Sequence, residues 1–296
     1  MKKPVRKDLE PLSASLSVMR LTEPHFDPNW HFHPHYQLFL VEEGVGTRFI
    51  GDSIRPFGAG DLVFLGPNLP HLWRSDQSYF DRDSQLMTKG VVVYFTEDFL
   101  GHDFLNRPEM ALLRQLFGQA HRGLEWTGPT RQRASAALQA LSHQPPGLGQ
   151  VLTLLTLLHD LTQATDYRFL TSLGYTNPVK AHTVDGPAYR RMQLVHDYVL
   201  DHFSGELSLT TVADLAGMTP PAFCRYFKTH ANKTFSDFVA EIRIGHARKL
   251  LMNDMMSIAQ ISDESGFRTL SNFNRQFRRV TGKTPSAYAR TYRQLD

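Results

Sequence analysis

Apolar residues follow two different rhythms along this chain. Between about Trp30 and Phe95 they come as short runs at 38–41, 49–50, 62–65 and 91–95. Gly44, Gly46, Gly51, Gly58, Gly60, Gly66, Pro67 and Pro70 punctuate the gaps. Short, closely spaced strands with such turns predict a β-sandwich or small barrel. From about Glu97 the spacing turns helical, over 105–121, 130–142 and 148–164, with breaks at Gly123, Gly128 and Pro145-Pro146-Gly147. Residues 165–187 carry no period and hold Gly174, Pro178, Gly186 and Pro187, which predicts an interdomain linker. Beyond it the chain reads as helix throughout. Met192, Val195, Val199 and Phe203 mark one helix face, and Phe238, Ile242, Ala247, Leu250 and Leu251 a long central helix. The expected architecture is α+β and multidomain: a barrel with following helices over 1–164, a linker over 165–187 and an all-α domain over 188–296.

Within the all-α domain, the same pattern occurs twice. Leu209 to Ala216 predicts a short helix ending at Gly217, a residue that readily takes the left-handed conformation of a helix C-terminus. Small Ala213 lets the next helix pack closely. Thr219 then suits an N-cap and Pro220 the first turn. The second helix is expected to bury Phe223 and Phe227 and to present Pro221, Ala222, Arg225, Lys228 and Thr229. The repeat runs from Ile258 through Gly266-Phe267 to a helix from about Thr269. There Leu270, Phe273, Phe277 and Val280 are expected to face the core, and Ser271, Asn274, Arg275 and Arg278 the opposite side. Each second helix carries an arginine with a phenylalanine two residues later. Such short, polar, basic faces can offer hydrogen bonds to base edges and charge to phosphates. A single helix–Gly–helix unit is common in helical proteins; two matched units, with Gly217 and Gly266 49 positions apart, leave room for one connecting helix. A helix of about 18 residues spans about 27 Å, which can hold two reading helices near the ~34 Å separation of successive major-groove faces.

Composition adds limits. At 296 residues, with 41% hydrophobic and 21% charged positions, the chain has material for two cores. No apolar run reaches the roughly 20 residues of a membrane span, because Thr153, Thr156, His159 and Asp160 interrupt 151–161. The basic start Met1-Lys2-Lys3-Pro4 lacks an apolar stretch after it, so no signal peptide is expected. One cysteine, Cys224, excludes an intramolecular disulfide framework and fits a cytoplasmic location. Net charge is +3, but 187–296 holds 15 Lys+Arg against 10 Asp+Glu, so the basic excess lies in the helical domain.

The residues of 189–290 closely resemble the AraC/XylS family of bacterial transcription regulators. The resemblance rests on 207–227, on Arg243-Ile244 with Ala247 and Leu250-Leu251, and on Gly266-Phe267, Phe273, Arg275, Phe277-Arg278, Gly282, Thr284-Pro285 and Tyr288. It implies double-stranded DNA as partner, with both second helices entering adjacent major grooves. It places Thr219, Pro221, Arg225 and Lys228 of the first unit, and Ser271, Asn274, Arg275 and Arg278 of the second, at the DNA. Base reading falls to Pro221, Arg225, Ser271, Asn274 and Arg275. Three positions depart from the family pattern. Pro221 stands where a larger or polar reader is frequent, Ser262 replaces a small Ala, and Asn232 replaces a Gly. RNA polymerase is a further partner that the resemblance implies.

The N-terminal region holds the most suggestive chemistry, His31-Phe32-His33-Pro34-His35-Tyr36-Gln37 and Pro70-His71. On a strand His31, His33 and His35 would share a face, and His71 would sit at the end of another strand. Gathered imidazoles can bind a divalent transition metal. The stretch, with Gly60-Asp61, resembles a cupin barrel, the effector domain that AraC-type regulators often carry. Metal-binding cupins have a Glu where Gln37 stands, which weakens the metal site and disfavours cupin catalysis. Three readings stay open. In the first, His31, His33, Gln37, His71 and Trp73 hold a polar effector such as a sugar; in the second, His31, His33, Gln37 and His71 hold a metal; in the third, the cluster is structural. Trp30 and Trp73 could stack on a sugar or belong to the core. The leucines of 148–161 cover more than one helix face; they could pack on the barrel, and the resemblance adds homodimerisation there. A ligand-responsive, non-enzymatic DNA-binding regulator is thus expected. The alternatives are a metal-dependent cupin enzyme fused to a helical domain, and an adaptor that uses 148–161 to bind protein.

Overall fold

The computed structural model describes residues 15–173, 175, 177, 187–231, 233–252 and 256–293. The chain divides into two compact units, Met1–Val184 and Asp185–Asp296.

The first unit runs β1 (Leu16–Glu23), β2 (Tyr36–Glu43), β3 (Gly46–Ile50), β4 (Ser53–Phe57), β5 (Leu62–Leu65), β6 (His71–Ser75), β7 (Thr88–Phe95), α1 (Ala111–Ala120), β8 (Leu124–Trp126), α2 (Pro129–His143), α3 (Leu148–Gln163) and β9 (Tyr167–Phe169). One sheet has the order β1-β7-β2-β5-β8-β9 and a second β4-β3-β6. Strand β2 shows why its sequence is a continuous apolar run: it lies between β7 and β5, and its first six residues are buried on both faces. Tyr36, Leu38 and Leu40 pack with Phe64, Val93 and Phe95 against Phe117 of α1, Leu138 of α2 and Leu158 of α3. Phe39 and Val41 point the other way, into a cluster with Val63, Tyr94, Phe57 and Trp73 that draws on both sheets. Gln37 has the same parity, so its side chain shares the inward face.

The runs at 38–41, 49–50, 62–65 and 91–95 all lie in strands, while β1, β8 and β9 have no counterpart in the sequence reading. Strand β9 falls inside the expected linker 165–187 and pairs with β8 from Tyr167 to Phe169. The sheet therefore continues past 164, and the linker reading is corrected at its start. Three residues are too few to show a period. Residues 174, 176 and 178–186 of that segment lie outside the described residues. Helix α1 starts at Ala111 rather than near 105, after a 3-10 turn at Pro108–Met110. Proline lacks the donor and clashes one turn back inside a helix, which sets this boundary. His71 opens β6 instead of following a strand.

The second unit is helical where described: α4 (Pro187–His202), α5 (Leu209–Leu215), α6 (Pro220–Ala231), α7 (Phe235–Met252), α8 (Ile258–Glu264), α9 (Leu270–Thr281) and α10 (Pro285–Arg293). The starts are capped as short helices require. Ser208 accepts from Thr211 N–H, Thr269 from Asn272 N–H, and Ser257 with Gln260 forms a reciprocal capping box. The connecting helix α7 has 18 residues, about 27 Å. Phe223, Phe227, Phe273 and Phe277 are fully buried, as their spacing requires. Leu270 and Val280, expected in the core, are instead 44% and 37% exposed. They lie at the two ends of α9, where the apolar stripe has turned past the contact with its neighbours. Asn232 lies outside the described residues.

Gly217 and Gly266 occupy matching turns at φ +65° and +79°, yet for different reasons. A Cβ at 217 meets nothing within 4 Å, whereas one at 266 meets the carbonyl oxygens of Phe203 and Ser204 at 2.6 and 2.8 Å. Gly217→Ala is therefore expected to cost only the left-handed strain, about 1–2 kcal/mol. Gly266→Ala adds a clash with rigid backbone and is expected to cost about 3 kcal/mol or more. Urea unfolding of both variants checks this; equal losses contradict it.

Candidate functional site

Helices α6 and α9 present the same layout. On α6, Phe223 and Phe227 are buried and pack on Phe235, with Phe227 also on Phe238 of α7 at a ring distance of 5.2 Å. On α9, Phe273 and Phe277 pack on Phe267 and Tyr288. Residues i and i+4 of a helix lie about 40° apart, so each pair fixes one buried edge and turns residue i+2 outward. Arg225 and Arg275 are those residues, and both are exposed. Pro221 and Lys228 flank the first arginine; Ser271, Asn274 and Arg278 surround the second; all are exposed, as is Thr219. Thr219 begins α6 through its carbonyl, which accepts from Phe223 N–H at 2.9 Å.

Some polar groups around these faces were not anticipated. Arg275 Nη2 donates to Asn272 Oδ1 at 3.0 Å, so Asn272, one turn back, orients its guanidinium. The i, i+3 spacing was the signal available for this pair. Arg268 pairs with Glu206 and Arg279 with Asp237. These two cations are paired at the surface with carboxylates of the same domain, and the basic face that remains is narrower than the basic count of the segment implies.

In the first unit, His31, His33 and His71 come together, with one ring nitrogen of each lying within 4.8 Å of the others. The cause is not strand alternation. His31 meets His71 in an isolated bridge, the chain bends at Pro34, and β2 begins only at Tyr36. His35 stays outside the trio. Each ring is held by a carbonyl two residues away in sequence: His31 Nδ1 on Asn29 O at 2.8 Å, His33 Nδ1 on His35 O at 3.1 Å, and His71 Nδ1 on Leu69 O at 2.7 Å. A carbonyl only accepts, so each Nδ1 carries a proton and each Nε2 is left facing the trio. Burial above all lowers the His33 pKa to about 3, against the favourable contact with Gln37, so the ring is neutral. Gln37 Oε1 lies 2.8 Å from His33 Nε2; a neutral ring that donates through Nδ1 offers only an acceptor at Nε2, so a hydrogen bond there requires the amide to exchange its oxygen and NH2 positions. Trp73 is buried, its edge on Phe39 at 4.7 Å and His71 beside it at 5.7 Å. Trp30 is buried as well.

A second buried polar group escaped the sequence reading because its members are far apart along the chain. Arg48 on β3 binds Asp61 at 2.9 Å and Glu125 on β8 at 2.8 Å, and Arg168 on β9 clamps Glu125 from the other side at 2.5 and 2.9 Å. Burial drives the Glu125 carboxyl upward, but the two guanidiniums outweigh it and hold it at about 2. Asp61, with Arg48 shared, is pushed up to about 6 by burial. The network ties both sheets to the last strand of the unit. A cleft of about 490 Å³ lies on the outer side of that strand, lined by Gln115, Gln119, Leu161, Thr162, Tyr167 and Phe169 among others.

Two family models match this chain. An AraC-like ligand binding domain matches 16–144, and a helix-turn-helix domain matches 212–291. The chain belongs to the AraC/XylS family of transcription regulators. The sequence of this AraC-family chain is 24% identical to the MmsAB operon regulatory protein of Pseudomonas aeruginosa over 98% of its own length and 86% of that protein. It is 24% identical to the transcriptional activator RhaS of Enterobacter sp. over 86% and 85% of the two chains. It is 37% identical to the regulator GlxA of Rhizobium meliloti over 84 residues, a match that spans 28% of this chain and about a quarter (26%) of GlxA. Among the described residues, no helix is long and apolar enough to cross a membrane.

The matched positions of Arg225 and Arg275 generate a prediction. If each reads a guanine, Arg225→Ala and Arg275→Ala each cost about 1–3 kcal/mol of specific binding and relax the preference at one base pair. Gel shifts on a selected site and on single-base variants measure both. Unchanged affinity in both variants contradicts the assignment, and an equal loss on every sequence reduces the arginines to phosphate contacts.

Proposed function

We propose that this AraC-family chain regulates transcription by binding a bipartite DNA site with α6 and α9, under control of a small polar effector held in its barrel. The single observation that carries the DNA reading is the matched placement of Arg225 and Arg275, each midway between two buried phenylalanines on an exposed polar face. The second unit has the fuller reading face, Ser271, Asn274 and Arg275. The first has Pro221 beside Arg225, so it contributes more to positioning. The reading makes the chain a cytoplasmic binding protein rather than a catalyst, with RNA polymerase as a further partner. Homodimerisation belongs to the same reading: Leu148 and Leu152 of α3, 72% and 55% exposed, form a one-turn apolar step facing outward.

Three histidine rings and the Gln37 amide, gathered beside the inner face of β2, suit a polar ligand rich in hydroxyl groups, such as a sugar or sugar acid, that can exchange with the His33–Gln37 contact. A second reading, favoured by the shared Nδ1–carbonyl bonds, is a divalent transition metal held by His31, His33 and His71. Histidine ligands characteristically anchor their other ring N–H on such a carbonyl. The donor set fits: three imidazole nitrogens within 4.8 Å of one another need to close to about 3.3 Å for tetrahedral bonds of about 2.0 Å. A bound ion would supply a Lewis-acidic anchor for an effector oxygen. Gln37, a neutral amide, would be a weaker fourth ligand than a carboxylate.

Thermal unfolding of untagged protein, with sugars, sugar acids or divalent ions added and elemental analysis in parallel, tests the barrel reading. A true effector raises the melting temperature, by the equivalent of about 2.7 kcal/mol at a hundredfold excess over its Kd, and His33→Ala abolishes the rise. A shift that survives His33→Ala contradicts the assignment of the site. Less than a tenth of a metal ion per wild-type chain overturns the metal reading.

A further inference from the structure

Six residues, 203–208, link α4 to α5, and the first four of them, 203–206, receive contacts from elements on both sides of the connecting helix. Arg243, midway along α7, donates from Nε to the carbonyl of Phe203 at 2.7 Å and from Nη2 to that of Gly205 at 2.8 Å. These carbonyls follow the end of α4, where oxygens lack helical partners and a cation is favoured. From the second helix-turn-helix unit, Gly266 approaches the carbonyls of Phe203 and Ser204 so closely that no Cβ fits. Arg268, two residues on, pairs with Glu206. The Phe203 ring also packs on His246, one turn along α7 from Arg243, at 5.1 Å. The segment leads through Leu207 and the N-cap Ser208 into α5, the first helix of the first unit. It thus joins the entrance of one unit to the turn of the other, with the centre of α7 as the third point of contact.

We propose that this 203–206 joint fixes the spacing and rotation of α6 relative to α9, and that Arg243 is the positioning residue that locks it. The inference rests on the reading of α6 and α9 as DNA readers. Its content is that the spacing of the two readers depends on the 203–206 joint and on Arg243, and not on the length of α7 alone. A lysine cannot replace Arg243 here: a single ammonium does not offer the planar fork that spans two carbonyls two residues apart. Arg243 faces the joint rather than the exposed surfaces of α6 and α9, so its loss acts on how the two readers are placed, not on what each one touches.

The full-length chain is used to select duplexes from a random-sequence pool. Gel shifts then compare the best site with derivatives carrying one to three base pairs inserted between its two halves. Each inserted pair rotates one half by about a tenth of a turn. The wild type is expected to lose at least 30-fold in affinity on a two-pair insertion. Arg243→Ala is expected to bind the parent site more weakly and to lose less than 5-fold on the same insertion. Arg243→Lys, the milder change, carries the test if the alanine variant does not fold, and is expected to fall between the two. An insertion penalty in these variants equal to that of the wild type overturns the proposal, as does a wild type indifferent to spacing. If the wild type enriches no sequence from the pool, the DNA-reading assignment itself fails, and the proposal falls with it.

Discussion

Each reader helix is oriented by two phenylalanines one turn apart. Phe223 with Phe227, and Phe273 with Phe277, are fully buried against aromatic partners from neighbouring helices. Burying a phenylalanine side chain contributes about 1.5–3 kcal/mol, so either pair outweighs the exposed ion pairs around it, which contribute about 0–1 kcal/mol each. With that edge fixed, the helix has no freedom to choose its outward face. Arg225 and Arg275 face outward because residue i+2 lies opposite a buried i, i+4 pair. Everything proposed about DNA reading follows from this constraint, and it is written locally in twelve residues of each unit.

That locality explains how much was legible in the sequence. The turns at Gly217 and Gly266, the helix start near Thr269 and the Phe–Arg–Phe spacing are short-range signals that the sequence exposes directly; the caps Ser208 and Ser257 are equally local but emerged only with the structure. The period misleads at helix ends, where Leu270 and Val280 continue the apolar stripe after the packing partner has ended. In the barrel unit β2, β5 and β7 were legible because they are apolar on both faces, whereas β1, eight residues long but mostly exposed or half-buried, was not. Strands β8 and β9 were not, since three residues carry no period and their place depends on partners far along the chain.

Long-range chemistry is what sequence could not supply. The cluster of His31, His33 and His71 was visible as a set of residue types. The geometry differs from simple alternation, since a bend at Pro34 and a bridge to β6 bring the rings together and exclude His35. The Arg48–Asp61–Glu125–Arg168 network joins three strands and the turn before β5, and has no sequence pattern at all. The same holds for the joint at 203–206, whose contacts with Arg243, Gly266 and Arg268 span 38 to 63 positions in sequence, from Arg243 with Gly205 to Gly266 with Phe203. Family membership secures the two kinds of domain; only the arrangement in space says which side chains act together.

The central claim is that both units of one chain read DNA through adjacent major-groove faces. Methylation interference on a selected duplex tests it directly, because methylation at guanine N7 blocks contacts in the major groove. Two clusters of interfering guanines, centred about 10 base pairs apart on one face of the duplex, are the predicted result. A single cluster, or strong binding with no interference at guanine N7 in either half, contradicts the account.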